Sequence, residues 1–126
     1  MIDWKNLGTT TYVKYAKDIG STYRGQIHMY GRGFVNAGFP VEKVAVAILP
    51  RSGTLSKMHL AVEDYDSALV DRILARREQT MLLLDTFDVE NNPERYEWFE
   101  STPDTCLFCP WWSPNPKTPF QCRGDA

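Results

Sequence analysis

Asp3 and Lys5 stand one residue apart, so in an extended segment their carboxylate and ammonium project from the same side. Phosphodiester hydrolysis uses such a pair. Carboxylates hold magnesium or manganese, and a nearby cation orients the attacking water and offsets charge on the phosphate. An Asp-x-Lys triplet also arises by chance, and its plain reading is a solvated surface ion pair. Gln26 and Tyr30 stand four residues apart and therefore share one face of any helix that carries them. Cys106, Cys109 and Cys122 form a third group close to the C-terminus. Three cysteines cannot all pair as disulfides within one molecule, and in a reducing compartment a Cys-x-x-Cys pair is more often metal-binding or redox-active than structural. Free thiols are the plain alternative.

The elements that must position these residues can be read from periodicity. Ile2-Asp3-Trp4-Lys5 reads as the tail of a strand with Asp3 and Lys5 on one face and Ile2 and Trp4 on the other. The segment from Tyr12 to Ile19 is a short helix or an ordered loop. From Ser21, the apolar positions Tyr23, Ile27, Tyr30 and Phe34 recur at three- and four-residue steps and predict an amphipathic helix ended by Gly38-Phe39-Pro40. Gly25, Gly31 and Gly33 weaken that helix by up to about 1 kcal/mol each relative to Ala, so packing must hold it, and the small residues admit close approach by a strand or by DNA. Val44 to Leu49 is a continuous apolar run expected as an interior strand covered on both faces. After a turn at Arg51-Ser52-Gly53-Thr54, Met58, Leu60 and Val62 alternate with His59, Ala61 and Glu63, predicting a half-buried strand in a hairpin with the first. Asp66 is placed to cap a helix with a buried stripe of Leu69, Val70, Ile73, Leu74 and Met81, leaving Arg72, Arg76 and Arg77 outside.

The pattern changes beyond Phe87. Six of the eight prolines follow residue 90, so residues 88–126 are expected as an irregular tail that needs a staple, after a compact region over residues 1–87. With 43% hydrophobic and 24% charged residues, the 126-residue chain falls in the globular range. The run from Val44 to Leu49 is far shorter than the roughly 20 apolar residues that cross a bilayer, and the N-terminus lacks a signal pattern. No membrane role is expected, and the protein reads as soluble and cytoplasmic. A formal charge of -2 supplies no global attraction to nucleic acid, so any such binding needs a local basic surface or metal ions.

The order of an Asp-x-Lys strand, a Gln26-Ile27-His28-Met29-Tyr30 helix and a buried strand resembles the RecB-like branch of the PD-(D/E)XK nucleases. In that branch Ile2-Asp3-Trp4-Lys5 matches the (D/E)-x-K motif, Gln26 to Tyr30 matches Q-x-x-x-Y, and Val44 to Gly53 looks like the strand and turn of phage members. The resemblance implies an α/β fold, a partial restriction-endonuclease-like core with a mixed central sheet flanked by helices, followed by the Cys/Pro-rich tail. It implies a magnesium- or manganese-dependent DNA exonuclease, in a phage or its bacterial host cell. Asp3 would bind the catalytic metal, the Trp4 carbonyl would add a ligand, and Lys5 would position the nucleophilic water. Gln26 and Tyr30 would orient the site and contact the DNA backbone.

Among the arginines, Arg51, just after the buried strand, is the one whose position favours the active-site side. For Tyr30 a core aromatic is an equal expectation, and a tyrosine can serve both roles. The family's preceding strand, with its own metal-binding Asp, and the helix before it are missing from this chain. An N-terminal half or partner polypeptide is therefore expected to complete the site; otherwise the chain is a non-catalytic DNA-binding or interaction module. Relatives carry a C-terminal cysteine trio that joins one upstream cysteine around a 4Fe-4S iron-sulfur cluster, which assigns Cys106, Cys109 and Cys122 as three ligands of four. Zinc completed by His28 or His59 is the alternative, in a protein unrelated to nucleases.

Overall fold

The computed structural model describes residues 1–99 together with 113, 115, 117, 118 and 121. The chain divides into two units, Met1–Arg76 and Arg77–Ala126. The first is mixed α/β: β1 (Ile2–Leu7), α1 (Thr9–Tyr15), α2 (Gly20–Asn36), β2 (Lys43–Pro50), β3 (His59–Asp64) and the first turns of α3 (Ser67–Phe87). β1 runs parallel to β2, and β2 runs antiparallel to β3, giving a three-stranded mixed sheet in the order β1-β2-β3. The helical crossover explains the parallel pair, and the short turn through Leu55–Lys57 explains the antiparallel one. Among the described residues, no helix is long and apolar enough to cross a membrane.

β2 is the centre of the core. Val44, Val46 and Ile48 are fully buried and pack with Ile27 of α2 and with Ile19. Each such aliphatic contributes roughly 1.5–3 kcal/mol by leaving water. Tyr12, Tyr15 and Tyr23 close the same layer from α1 and α2. The expected stripe on α2 is corrected in part: Ile27 is buried, but Tyr30 and Phe34 are 46% and 48% exposed, and His28 and Gly31 are buried instead. Gly31 makes this possible, since a Cβ there would stand 2.8 Å from the Tyr65 ring and 3.3 Å from Val44. α2 ends at Gly38, whose φ is +88. Gly38 N–H donates to Val35 O, Phe39 N–H donates to Phe34 O, and the two phenylalanine rings meet edge to face at 6.2 Å, which is a Schellman stop.

A further expectation, the buried face of β3, is corrected. On β3 the covered face carries His59, Ala61 and Glu63, whereas Met58, Leu60 and Val62 are 43%, 46% and 51% exposed. Glu63 is drawn inward by Arg24 and His28 of α2, and that fixes the face on which its strand neighbours fall. β2 is the interior strand expected, with both faces buried, although among the described residues its helices pack on the Val44, Val46 and Ile48 side. Ala45 and Ala47 are buried by flanking strand residues, with Ile2 and Val62 across from Ala45, and Trp4 and Leu60 across from Ala47. Those four flanking side chains are about half exposed, so among the described residues of the first unit this face carries no further layer.

Asp66 caps α3 as expected, its Oδ1 accepting from Leu69 N–H at 3.0 Å. Leu69, Val70, Ile73 and Leu74 are partly or fully buried and Arg72, Arg76 and Arg77 are exposed, but Met81 is 47% exposed rather than in the stripe. In the second unit, Phe87 meets Trp98 edge to face at 5.3 Å, and Arg95 donates to Phe87 O.

Candidate functional site

Pairing with β2 fixes the direction of every β1 side chain. Asp3 lies opposite Val46 and Lys5 opposite Ile48, so both point to the side covered by α2. Their side chains are 17% and 20% exposed, well sheltered for charged groups. Lys5 Nζ stands 2.9 Å from Asp3 Oδ2 and donates to Gln26 Oε1 at 2.8 Å. It also lies 5.0 Å from the centroid of the Tyr23 ring, within cation–π range. Gln26 Nε2 donates to the Tyr30 hydroxyl at 2.7 Å. The lysine thereby fixes the orientation of the Gln26 amide, because an ammonium only donates and must meet the carbonyl oxygen.

The result is a polar row from the sheltered carboxylate of Asp3 through Lys5 and Gln26 to the solvent-facing hydroxyl of Tyr30. The two periodicities account for it: a spacing of two on β1 and of four on α2 each put a pair on one face, and the crossover lays the faces together. Asp3 Oδ2 is itself buried and, among the described residues, has no donor at hydrogen-bonding angles. Its contact with Lys5 is therefore an ion pair with poor alignment, which leaves a hard oxygen open to a further cation or donor.

Arg51 is not part of this row. Its N–H donates to Leu7 O at 2.7 Å, four residues beyond Asp3, or about 13 Å of strand. Cys106, Cys109 and Cys122 lie outside the described residues. Among the described residues, no group of three or more His, Cys, Asp or Glu side chains could hold a metal ion. His59 is half-buried on the covered face of β3. His28 is not free to ligate, since Asp66 N–H donates to its Nδ1 at 3.0 Å and its Nε2 stands 3.3 Å from Glu63 Oε2.

That histidine belongs to a second polar row that sequence reasoning left unassigned. Arg24, His28 and Arg32, four residues apart along α2, face β3 and α3. Arg24 Nε donates to Glu63 at 2.9 Å and Arg24 Nη2 to Asp18 at 3.1 Å. Arg32 Nε donates to the Tyr65 hydroxyl at 3.2 Å, and its Nη2 meets Asp71. The Glu63 and then the Asp18 hydrogen bonds push the Arg24 guanidinium above its ordinary value. The Gly20 N–H and then Arg24 hold Asp18 below the usual carboxylate range. The available signal was the four-residue repeat of basic side chains on α2, opposite an acid that alternates with Ala61. This row clamps α2 to β3 and so holds Gln26 and Tyr30 over β1. Comparison of the chain with protein-family models, with curated proteins and with solved structures finds no match.

Proposed function

We propose that this chain carries part of the active site of a metal-dependent DNA exonuclease of the RecB-like PD-(D/E)XK kind, with a second polypeptide segment supplying the remaining carboxylate. The observation that supports this reading is the row Asp3, Lys5, Gln26 and Tyr30, in which an ammonium is held between a carboxylate and an amide on a sheet-and-helix frame. Asp3 fits magnesium or manganese as a single hard ligand, because such ions take one or two carboxylates and fill their remaining positions from water and substrate phosphate. The ion, when bound, supplies Lewis-acid charge at the scissile phosphate. Lys5 orients the attacking water and offsets negative charge, Gln26 fixes the direction of the Lys5 ammonium, and Tyr30 offers its exposed hydroxyl to the DNA backbone. Arg51 is at most a phosphate contact beyond the row. The same reading gives Cys106, Cys109 and Cys122 three of the four thiolates of an iron-sulfur cluster. Iron and zinc content of anaerobically purified protein decides between the cluster and a zinc site.

The experiment is degradation of end-labelled linear DNA with and without magnesium, by the chain alone and with the polypeptide encoded directly upstream. Magnesium-dependent release of nucleotides that falls about 10²- to 10³-fold in Lys5→Ala, with unchanged circular dichroism, supports the reading. A second reading is favoured by Asp3 being the one carboxylate in the row: a non-catalytic module that binds DNA. It predicts retention of labelled DNA with no cleavage under either condition. A chain that neither cleaves nor retains DNA removes both.

A further inference from the structure

We propose that β1 is a self-association edge: two copies of the chain pair their β1 strands antiparallel across a two-fold axis at Trp4, joining their sheets into one. Ala45 N–H donates to Met1 O and Arg51 N–H donates to Leu7 O, so the odd-numbered residues of β1 turn their peptide groups toward β2. Ile2, Trp4 and Asn6 turn theirs to the opposite edge, where no strand of the described residues pairs. An unpaired edge is a template for another strand, and proteins guard such edges with proline, bulges or inward-pointing charges. β1 has no proline, and its inward charges are Asp3 and Lys5.

Those charges select one register instead of blocking all of them. An antiparallel ladder on this edge must set even-numbered residues against one another. With Trp4 opposite Trp4, Ile2 faces Asn6, and Asp3 of each copy faces Lys5 of the other on the covered side of the sheet. Sliding by two residues in either direction sets Asp3 against Asp3 or Lys5 against Lys5, and like charges directly opposite are destabilising. The favoured register also brings a second ammonium to Asp3 Oδ2, the buried carboxylate atom without an aligned donor. On the opposite face it stacks Trp4, 62% exposed, against its counterpart and extends the apolar strip of Leu60, Ala47 and Trp4 into the second copy. β3, the other sheet edge among the described residues, offers no such match. Pairing about Val62 sets Ala61 against Glu63, which Arg24 and His28 already hold.

The six-residue edge is only about 20 Å long, far less contact than an obligate dimer makes, so the dimer is reversible. The pairing uses the strand that carries the proposed catalytic residues and places an ammonium at the Asp3 oxygen that a metal ion would take, so it describes the metal-free chain. Its test reads mass and not cleavage, which keeps its failure distinguishable from that of the nuclease reading. The test is sedimentation equilibrium of the full chain under reducing, metal-free conditions, from low to high micromolar concentration. The weight-average mass rises from 14.5 kDa toward twice that value. Trp4→Lys, at an exposed position that leaves the β1–β2 ladder intact, stays monomeric throughout. Asp3→Lys and Lys5→Asp each fail to self-associate, yet an equimolar mixture forms a heterodimer, because each chain's like charges meet the opposite sign in the other. A wild-type chain that stays at 14.5 kDa at the highest concentration overturns the proposal. So does association that Trp4→Lys leaves unchanged, and so do charge variants that fold but do not associate when mixed. If the charge variants do not fold, Trp4→Lys alone decides.

Discussion

Glu63 shows how much one side chain can hold in place. It accepts from Arg24 at 2.9 Å and faces the buried Nε2 of His28 at 3.3 Å, so its removal leaves one half-buried cation and one buried ring without their acceptor. Glu63→Ala is expected to destabilise the protein by about 1–3 kcal/mol in urea unfolding. Loss of that clamp also loosens α2 over β1. Asp66 is a second residue whose effect has a definite sign. The Leu69 N–H, as the first of several donors and charges, holds its carboxyl below the ordinary value of 3.8. A carboxyl with a lowered folded-state value contributes fully above the unfolded value and loses that contribution as pH falls through the folded one. Asp18 and Asp64 are lowered in the same way, by Gly20 N–H and by Lys43 as their respective first causes. Tm is therefore expected to be flat from neutral pH down to about pH 5 and then to fall with acid. Asp66→Asn keeps an oxygen for Leu69 and takes away that residue's share of the acid dependence, whereas Asp66→Ala lowers Tm at every pH. A Tm difference between Asp66→Asn and the wild type that stays constant from neutral pH into acid would refute the assignment.

Among the elements, α2 does most to position the candidate site, and its glycines test why it sits where it does. Gly31 lies against the Tyr65 ring and Val44, where a Cβ would be 2.8 Å from the ring carbons. Gly31→Ala is expected to cost about 1–3 kcal/mol through overpacking, measured by chemical denaturation. At Gly33 an added methyl would meet nothing within 4 Å, so Gly33→Ala should stabilise by about 0.5–1 kcal/mol through helix propensity alone. Equal effects at the two positions would show that α2 does not approach the sheet as described. The sequence made α2, β2 and the Asp66 cap legible because each depends on local chemistry: a 3.6-residue period, a continuous apolar run, and an acid three residues before Leu69. The face of β3 was not legible. Leu60 and Val62 are more apolar than Ala61 and Glu63, and pattern alone turns them inward, whereas the long-range ion pair from Arg24 turns them out. The candidate row was half legible. Alternation on β1 and a four-residue step on α2 predict shared faces, but the Lys5–Gln26 contact spans 21 residues and needs the crossover to form.

At the scale of the whole molecule, the formal charge of -2 constrains how DNA could be held. A protein with no net attraction must gain its affinity from a few local cations, each releasing counterions from one phosphate. On the face that carries the row, the cation is Lys5, already partly neutralised by Asp3, with Arg51 further along the same strand pair. Three further basic side chains are engaged with acids: Arg24 with Glu63 and Asp18, Arg32 with Asp71, and Lys43 with Asp64. About two phosphate contacts correspond to a slope near −1.8 in a plot of log affinity against log salt concentration on duplex DNA. That slope, read by fluorescence anisotropy, is expected for this chain, and Arg51→Ala should reduce it by about one unit. A much steeper slope would show that exposed basic side chains outside the row, such as Lys14, Lys57 or Arg77, also meet phosphates.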